Sequence, residues 1–225
     1  DFPAVKAFDP SFNGYYDGVF LKLNPAGDAL AFSSFLGPPH PKGYEGCNSI
    51  LLDGGGNIYV MGDTDQAGFP VKAGYDMTYN GGGDVFVSKF APSGKSLVYS
   101  TYLGGSSQDY PCGMAIDSQG SVFLTGFTRS ANFPKKNSHK KTIDGYSDAF
   151  VAKLNPAGTA VVYSTVFGGS ERDRPSEIQA DAKGYAYVTG VTESADFPVL
   201  NAFDASYAGG EGDIFLTKIA PAGKP

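Results

Sequence analysis

Apolar residues occur along this chain in short β-rich runs, such as SVFLTG from Ser121 and DAFVAKL from Asp148, each bounded by glycine, proline, aspartate or asparagine. Runs of this length and residue type, cut by turn formers, predict strands rather than helices. In AIDSQGSVFLTG, from Ala115, two runs flank Ser118-Gln119-Gly120, a turn of the kind that closes a hairpin. Asp117 is placed to hydrogen-bond that turn's backbone. Asn155-Pro156-Ala157-Gly158 closes another pair of runs. Its proline presets φ and its glycine accepts positive φ, which sends the second strand back antiparallel.

The same arrangement recurs. DGGGNIYVMGDTDQAGFP from Asp53, DSQGSVFLTGFTRSANFP from Asp117 and DAKGYAYVTGVTESADFP from Asp181 align without gaps, each 64 residues after the last, and the DFP at Asp1 reads as the tail of an earlier copy. A second signature follows the same rhythm: DGVFLKLNPAG from Asp17, DVFVSKFAPSG from Asp84, DAFVAKLNPAG from Asp148 and DIFLTKIAPAG from Asp213. A third begins at Ala31, Val98 and Val162. Each full unit therefore holds four strand-like runs, read as two hairpins or one four-stranded antiparallel sheet. Such a sheet cannot bury its apolar faces alone, and stacking on neighbouring copies is how a repeat protein covers them. Radial repetition of four-stranded sheets gives an all-β fold, a β-propeller. Residues 1–225 are read as one such array, with 13 runs making 3.25 sheets and 225 residues making about 3.5 repeats. Propellers typically need at least four blades. The expectation is a partial ring: an excerpt of a longer protein carrying the remaining blades, or one completed by self-association.

The stretch YSTYLGGSSQDYPCGMAIDSQGSVFLTGFT and its copy YSTVFGGSERDRPSEIQADAKGYAYVTGVT, each followed by FP, resemble the SBBP β-propeller repeats of bacterial and archaeal proteins. That resemblance implies a propeller, usually seven-bladed, in a secreted or cell-surface setting, and no particular activity. The first copy departs from the pattern, with GPPHPKGYEGCNS making its loop three residues longer.

Composition agrees with this reading. There are 31 glycines, 15 prolines, 14 tyrosines and 17 phenylalanines, a mixture suited to short strands and tight turns. A net charge of −6 argues against nucleic acid as a partner. No run approaches the ~20 apolar residues of a membrane span. The opening Asp1-Phe2-Pro3, without Met or a signal peptide, is read as a processed or excerpted start. Cys47 and Cys112 form no CxxC or metal pattern. Aligned on the DxxG aspartates they fall one position out of register, so they are expected to be unbonded.

Loops between consecutive strands alternate between the two sides of such a disc, placing the GGSSQDYP connections and the long excursions after each FP on one face. Long, varied loops on a rigid frame are where recognition concentrates. The candidate ligand-binding residues are Asp109, Tyr110, Asp173 and Arg174, with an unidentified protein or glycan as ligand. Asp63, Asp65, Asp84, Asp148 and Asp213 are possible oxygen ligands for Ca²⁺, but their repetition suits turn capping better. No metal or cofactor is therefore assigned. The Lys135–Lys141 run KKNSHKK is read as a solvated loop tip, with a patch for anionic polysaccharide as the alternative. Lys22, Lys89, Lys153 and Lys218 recur in register and are expected to cover apolar strand surface with their stems. Phe69, Phe133 and Phe197 of the FP pairs are expected to pack between sheets.

Catalysis has little support. His40 and His139, the two histidines, lie in irregular loops, and no catalytic residues are assigned. The expected function is a non-enzymatic extracellular scaffold or binding module acting through the long-loop face. A lectin-like propeller is the first alternative, which the absence of tryptophan disfavours, and a polysaccharide lyase or hydrolase with its site at the central channel is the second.

Overall fold

The computed structural model describes residues 2–40 and 42–223. Asp1 of the opening DFP, Pro41 of the longer loop and the closing Lys224-Pro225 lie outside them. Thirteen strands are present among the described residues: β1 Gly18–Leu23, β2 Leu30–Leu36, β3 Glu45–Leu52, β4 Ile58–Thr64, β5 Asp84–Phe90, β6 Leu97–Leu103, β7 Asp109–Ile116, β8 Val122–Thr128, β9 Asp148–Leu154, β10 Val161–Phe167, β11 Asp173–Ala180, β12 Ala186–Thr192 and β13 Asp213–Ile219. They form four antiparallel sheets in chain order: β1-β2, β3-β4-β5-β6, β7-β8-β9-β10 and β11-β12-β13. No helix of these residues is long and apolar enough to cross a membrane.

The turns form as the sequence dictates. Asp117 Oδ1 accepts from the backbone N–H groups of Gln119 (3.0 Å) and Ser121 (2.9 Å), while Gly120 takes φ +83°. Asp53 and Asp181 cap their turns in the same way. Gly158 takes φ +71° in the other turn type, where Asn155 Oδ1 accepts from Thr159 N at 2.9 Å. The register lysines meet these caps from the neighbouring hairpin. Lys89 Nζ lies 3.3 Å from Asp53 and Lys153 Nζ 3.1 Å from Asp117, each over an aromatic ring, Tyr59 at 4.7 Å and Phe123 at 4.5 Å. Lys218 sits over Tyr185 and Tyr187, while Lys22 is exposed. The repeated lysine thus ties two repeated hairpins together as well as covering ring surface. Although burial opposes it, hydrogen bonding from Asn57 and Lys89 holds the Asp53 carboxyl down at about 2.

Adjacent sheets bury their facing surfaces in three successive cores. Side chains alternate along each strand, so Phe20, Phe32 and Leu36 of the first sheet meet Val60, Phe86 and Phe90 of the second. Met61, Val85 and Val87 meet Leu124, Phe150 and Leu154 of the third. Phe123, Val151 and Tyr163 meet Ile178, Val188 and Phe215 of the fourth. Each FP phenylalanine enters one of these cores, as expected. Phe69 lies 4.1 Å from Phe86, Phe133 4.6 Å from Phe150 and Phe197 4.9 Å from Phe215, ring centre to ring centre. Gly126 makes room for this pairing, because a Cβ there would lie 2.7 Å from the Phe150 ring.

Beyond the FP pairs at Phe2, Phe69 and Phe133, the excursion returns along the outermost strand of its sheet. Val5, Lys72 and Lys136 bridge Ser33, Ser100 and Ser164 of β2, β6 and β10, satisfying part of an otherwise open sheet edge. The first strand of each larger sheet carries a bulge, leaving Asn48, Cys112 and Ser176 without a cross-strand partner. Cys47 pairs with Gly62 as Pro111 pairs with Gly126, so the two cysteines are one register position apart, and both are free.

Phe133→Ala should lower unfolding free energy by about 3–5 kcal/mol in urea melts, since it leaves a void between two sheets. Phe203→Ala, at a fully exposed position, should change it by less than about 0.5 kcal/mol.

Candidate ligand-binding face

The long connections, residues 65–83, 104–108, 129–147, 168–172 and 193–212, all leave the sheets on one side, and the short turns on the other. The longer first loop, residues 37–44, returns to the same register, with Glu45 opposite Thr64 as Asp109 is opposite Thr128.

Asp109 and Asp173, read from the sequence as ligand-binding residues of the loop face, are not presented at its surface. Each opens a strand, β7 and β11, whose alternation turns the carboxylate inward and the next side chain outward. Both are fully buried. Asp109 Oδ2 accepts from Gly105 N (2.7 Å) and Ser130 Oγ (2.8 Å), and Asp173 Oδ2 accepts from Gly169 N (2.8 Å) and Ser194 Oγ (3.0 Å). They anchor the loops that form the face. Tyr110 and Arg174 remain at the surface, Tyr110 half-buried and Arg174 exposed. Tyr110 stacks on its cross-strand partner Phe127 at 4.8 Å, and the Arg174 guanidinium reaches over the same Phe127 from the fourth sheet at 5.6 Å.

Beside this stack stands a second cluster that no motif announced. The guanidinium carbons of Arg129 and Arg172 lie over the Tyr146 ring at 4.4 and 4.3 Å from its centre. Arg129 Nη1 donates to Gln108 Oε1 at 2.7 Å, and its buried Nε has no partner among the described residues. Arg172 reaches Glu193 only at 4.0 Å. Arg129, Arg172 and Arg174 are the only arginines in the chain, and all three meet where the third and fourth sheets adjoin. The repeat supplied a signal for this. The positions 64 residues from Arg129 are Asp65 and Glu193, and the one 64 before Arg172 is Gln108, so these sites break a pattern that framework residues obey. A different set marks the first boundary, where the exposed Tyr15, Tyr16 and Tyr44 stack edge to face at 4.8 and 5.5 Å. Glu171, Glu193, Tyr207 and Glu211 line an open acidic hollow on the fourth sheet.

The lysine run is exposed at Lys136, Asn137, His139 and Lys141, yet Lys136 and Lys140 donate to the carbonyls of Val161 and Gly168, which ties the excursion to the third sheet. Asp84 and Asp213 accept the backbone N–H groups of Asn80 and Ala208, as turn-capping aspartates would. Asp148 accepts the Asp144 N–H at 3.3 Å. Among the described residues, no group of three or more His, Cys, Asp or Glu side chains is gathered as for a metal centre.

Residues 98–134 match the SBBP family model, a beta-propeller repeat. No curated protein matches the chain. The SBBP match runs from β6 through β8 to the FP pair, and so includes Asp109, Tyr110, Phe127, Arg129 and Phe133.

Burial raises several carboxyls on this face. Glu45 and Asp84 are pushed up to about 7 and Asp109 to about 6, with desolvation the largest cause and a neighbouring carboxylate adding to it at Glu45 and Asp84. A carboxyl whose folded value exceeds the unfolded ~4 favours folding below that value and loses the contribution as pH rises through the folded one. In buffer without divalent cations, the urea midpoint should fall between about pH 4 and pH 7. Asp109→Asn should flatten that slope below about pH 6, and Asp84→Asn should flatten it up to about pH 7.

Proposed function

We propose that the chain is a non-enzymatic binding module on a β-propeller frame, extracellular in setting, which takes an anionic ligand on its long-loop face above the boundary of the third and fourth sheets. The observation that carries the reading is the gathering of all three arginines around Tyr146 and Phe127 in a chain of net charge −6. A guanidinium presents a planar fork of donors that fits carboxylate, sulfate or phosphate oxygens, and stacking on a ring fixes its direction while leaving the donor edge open. The SBBP match supports a binding or scaffold role in the same sense. A lectin-like role is the second reading. The Tyr15, Tyr16 and Tyr44 group favours it, because tyrosine rings can supply the apolar platform that the missing tryptophans do not.

Arrays of uronate-bearing, sulfated and neutral glycans, together with acidic peptides, test both readings. Arg129→Ala and Arg172→Ala should each weaken an anionic ligand about 10- to 100-fold, and raising salt should weaken it further. Binding that is confined to neutral glycans and lost with Tyr44→Ala would favour the second reading. Binding to no anionic or neutral probe would sink both.

A further inference from the structure

At each boundary between successive sheets, two carboxyl groups face one another across a glycine. They are Asp17 and Glu45 at Gly37, Asp84 and Asp109 at Gly104, and Asp148 and Asp173 at Gly168. A Cβ on Gly37 would lie 2.8 Å from Asp17 Oδ1 and 3.2 Å from Glu45 Oε2, and one on Gly104 would overlap Asp84 and lie 3.0 Å from Asp109 Oδ2. Asp84 and Asp109 are fully buried, and Asp109 Oδ2, the oxygen turned to Gly104, accepts from Gly105 N and Ser130 Oγ, yet Asp84 Oδ1 has no hydrogen-bond partner among the described residues, and neither do Asp17 Oδ1, Glu45 Oε2 and, at the third boundary, Asp148 Oδ1. Two buried carboxylates at one site are costly unless something positive offsets them.

The third boundary shows what does so. Lys140 Nζ lies 2.9 Å from Asp148 Oδ2 and 3.4 Å from Asp144 Oδ2, and donates to the Gly168 carbonyl at 3.2 Å. Lys140 stands eight residues before Asp148, where the other copies have Asp76 before Asp84 and Asp9 before Asp17. The positions coincide in space as well. Lys140 bridges Val166 on β10, while the carbonyls of Asp76 and Asp9 accept from Tyr102 on β6 and Phe35 on β2. One copy therefore roots an ammonium-bearing side chain where two others root a carboxylate that caps its own turn, Asp76 through Thr78 and Asn80 and Asp9 through Ser11 and Asn13.

We propose that the boundary of the second and third sheets binds a hard, oxygen-seeking divalent cation of the calcium class between Asp84 and Asp109, and that Asp17 and Glu45 form a second such site. The cation takes the part that the Lys140 ammonium plays at the third boundary. Such cations accept carboxylate and carbonyl oxygens with water completing the set. With only two protein carboxylates, the sites fall in the weak range of about 10⁻⁴–10⁻³ M that suits extracellular modules. This proposal stands apart from the arginine cluster and does not depend on the anionic ligand.

The full chain should bind Ca²⁺ in a calorimetric titration at pH 8, and 10 mM CaCl₂ should raise its melting temperature by about 3–6 °C. NaCl at equal ionic strength should not. Asp84→Asn combined with Asp17→Asn should abolish the response, and Lys140→Ala, which bares the Asp148 and Asp173 pair, should enlarge it. That enlargement is a gain that misfolding cannot produce. No Ca²⁺-specific shift in the unmodified chain, or an undiminished shift in the double variant, overturns the proposal. So does a loss of stability with rising pH that calcium leaves unchanged, which would mean that the pair shares a proton instead.

Discussion

A four-stranded antiparallel sheet satisfies its own backbone but has two faces, and in this chain both faces of the middle sheets are apolar. Their burial against the next sheet is the interaction on which everything else rests. Val122 and Leu124 look one way and Phe123 the other, so the third sheet needs a neighbour on each side. At roughly 25 cal/mol per Å² of apolar area removed from water, each paired face contributes far more than any ion pair on the molecule. The FP phenylalanines extend the same principle to the loops. Each excursion is fixed at its root by a ring inserted between sheets, and those of the second and third sheets also along their length by bonds to the outer strand. A long polar loop is thereby held in place without a core of its own.

That mechanical arrangement explains how the loop face can vary while the frame does not. Residues that cap turns or fill the cores recur every 64 or so positions, because every copy meets the same neighbours. Positions such as Asp65, Arg129 and Glu193, or Tyr15 and Tyr146, meet solvent and change freely from copy to copy. The result is a face with tyrosines at one boundary, stacked arginines at another and carboxylates beyond. Beneath it, each boundary carries the same buried acidic pair, whose charge is answered by Lys140 at one place only.

The all-β class, the antiparallel hairpins and their turns, the unbonded cysteines and the packing of the FP rings were all legible in the sequence. Each depends on local turn chemistry or on side-chain alternation along one strand, which nearest neighbours in the chain determine. The site was legible only in part. Tyr110 and Arg174 lie at the surface, whereas Asp109 and Asp173 are buried; the sequence did not locate the strand start to the residue, and one position decides between inward and outward. The register lysines were read as surface cover, and their pairing with Asp53 and Asp117 required knowing which hairpins lie side by side.

Sequence alone thus determined the elements and their repetition, since these follow from periodicity and from the backbone preferences of Gly, Pro, Asp and Asn. Tertiary structure alone decided which distant groups meet: Arg129 and Arg172 at Tyr146, Asp84 against Asp109. These pairs are separated by 43 and 25 residues, and no local rule brings them together. Only the stacking of one sheet on the next, driven by the burial of their apolar faces, brings such distant side chains within a few ångströms.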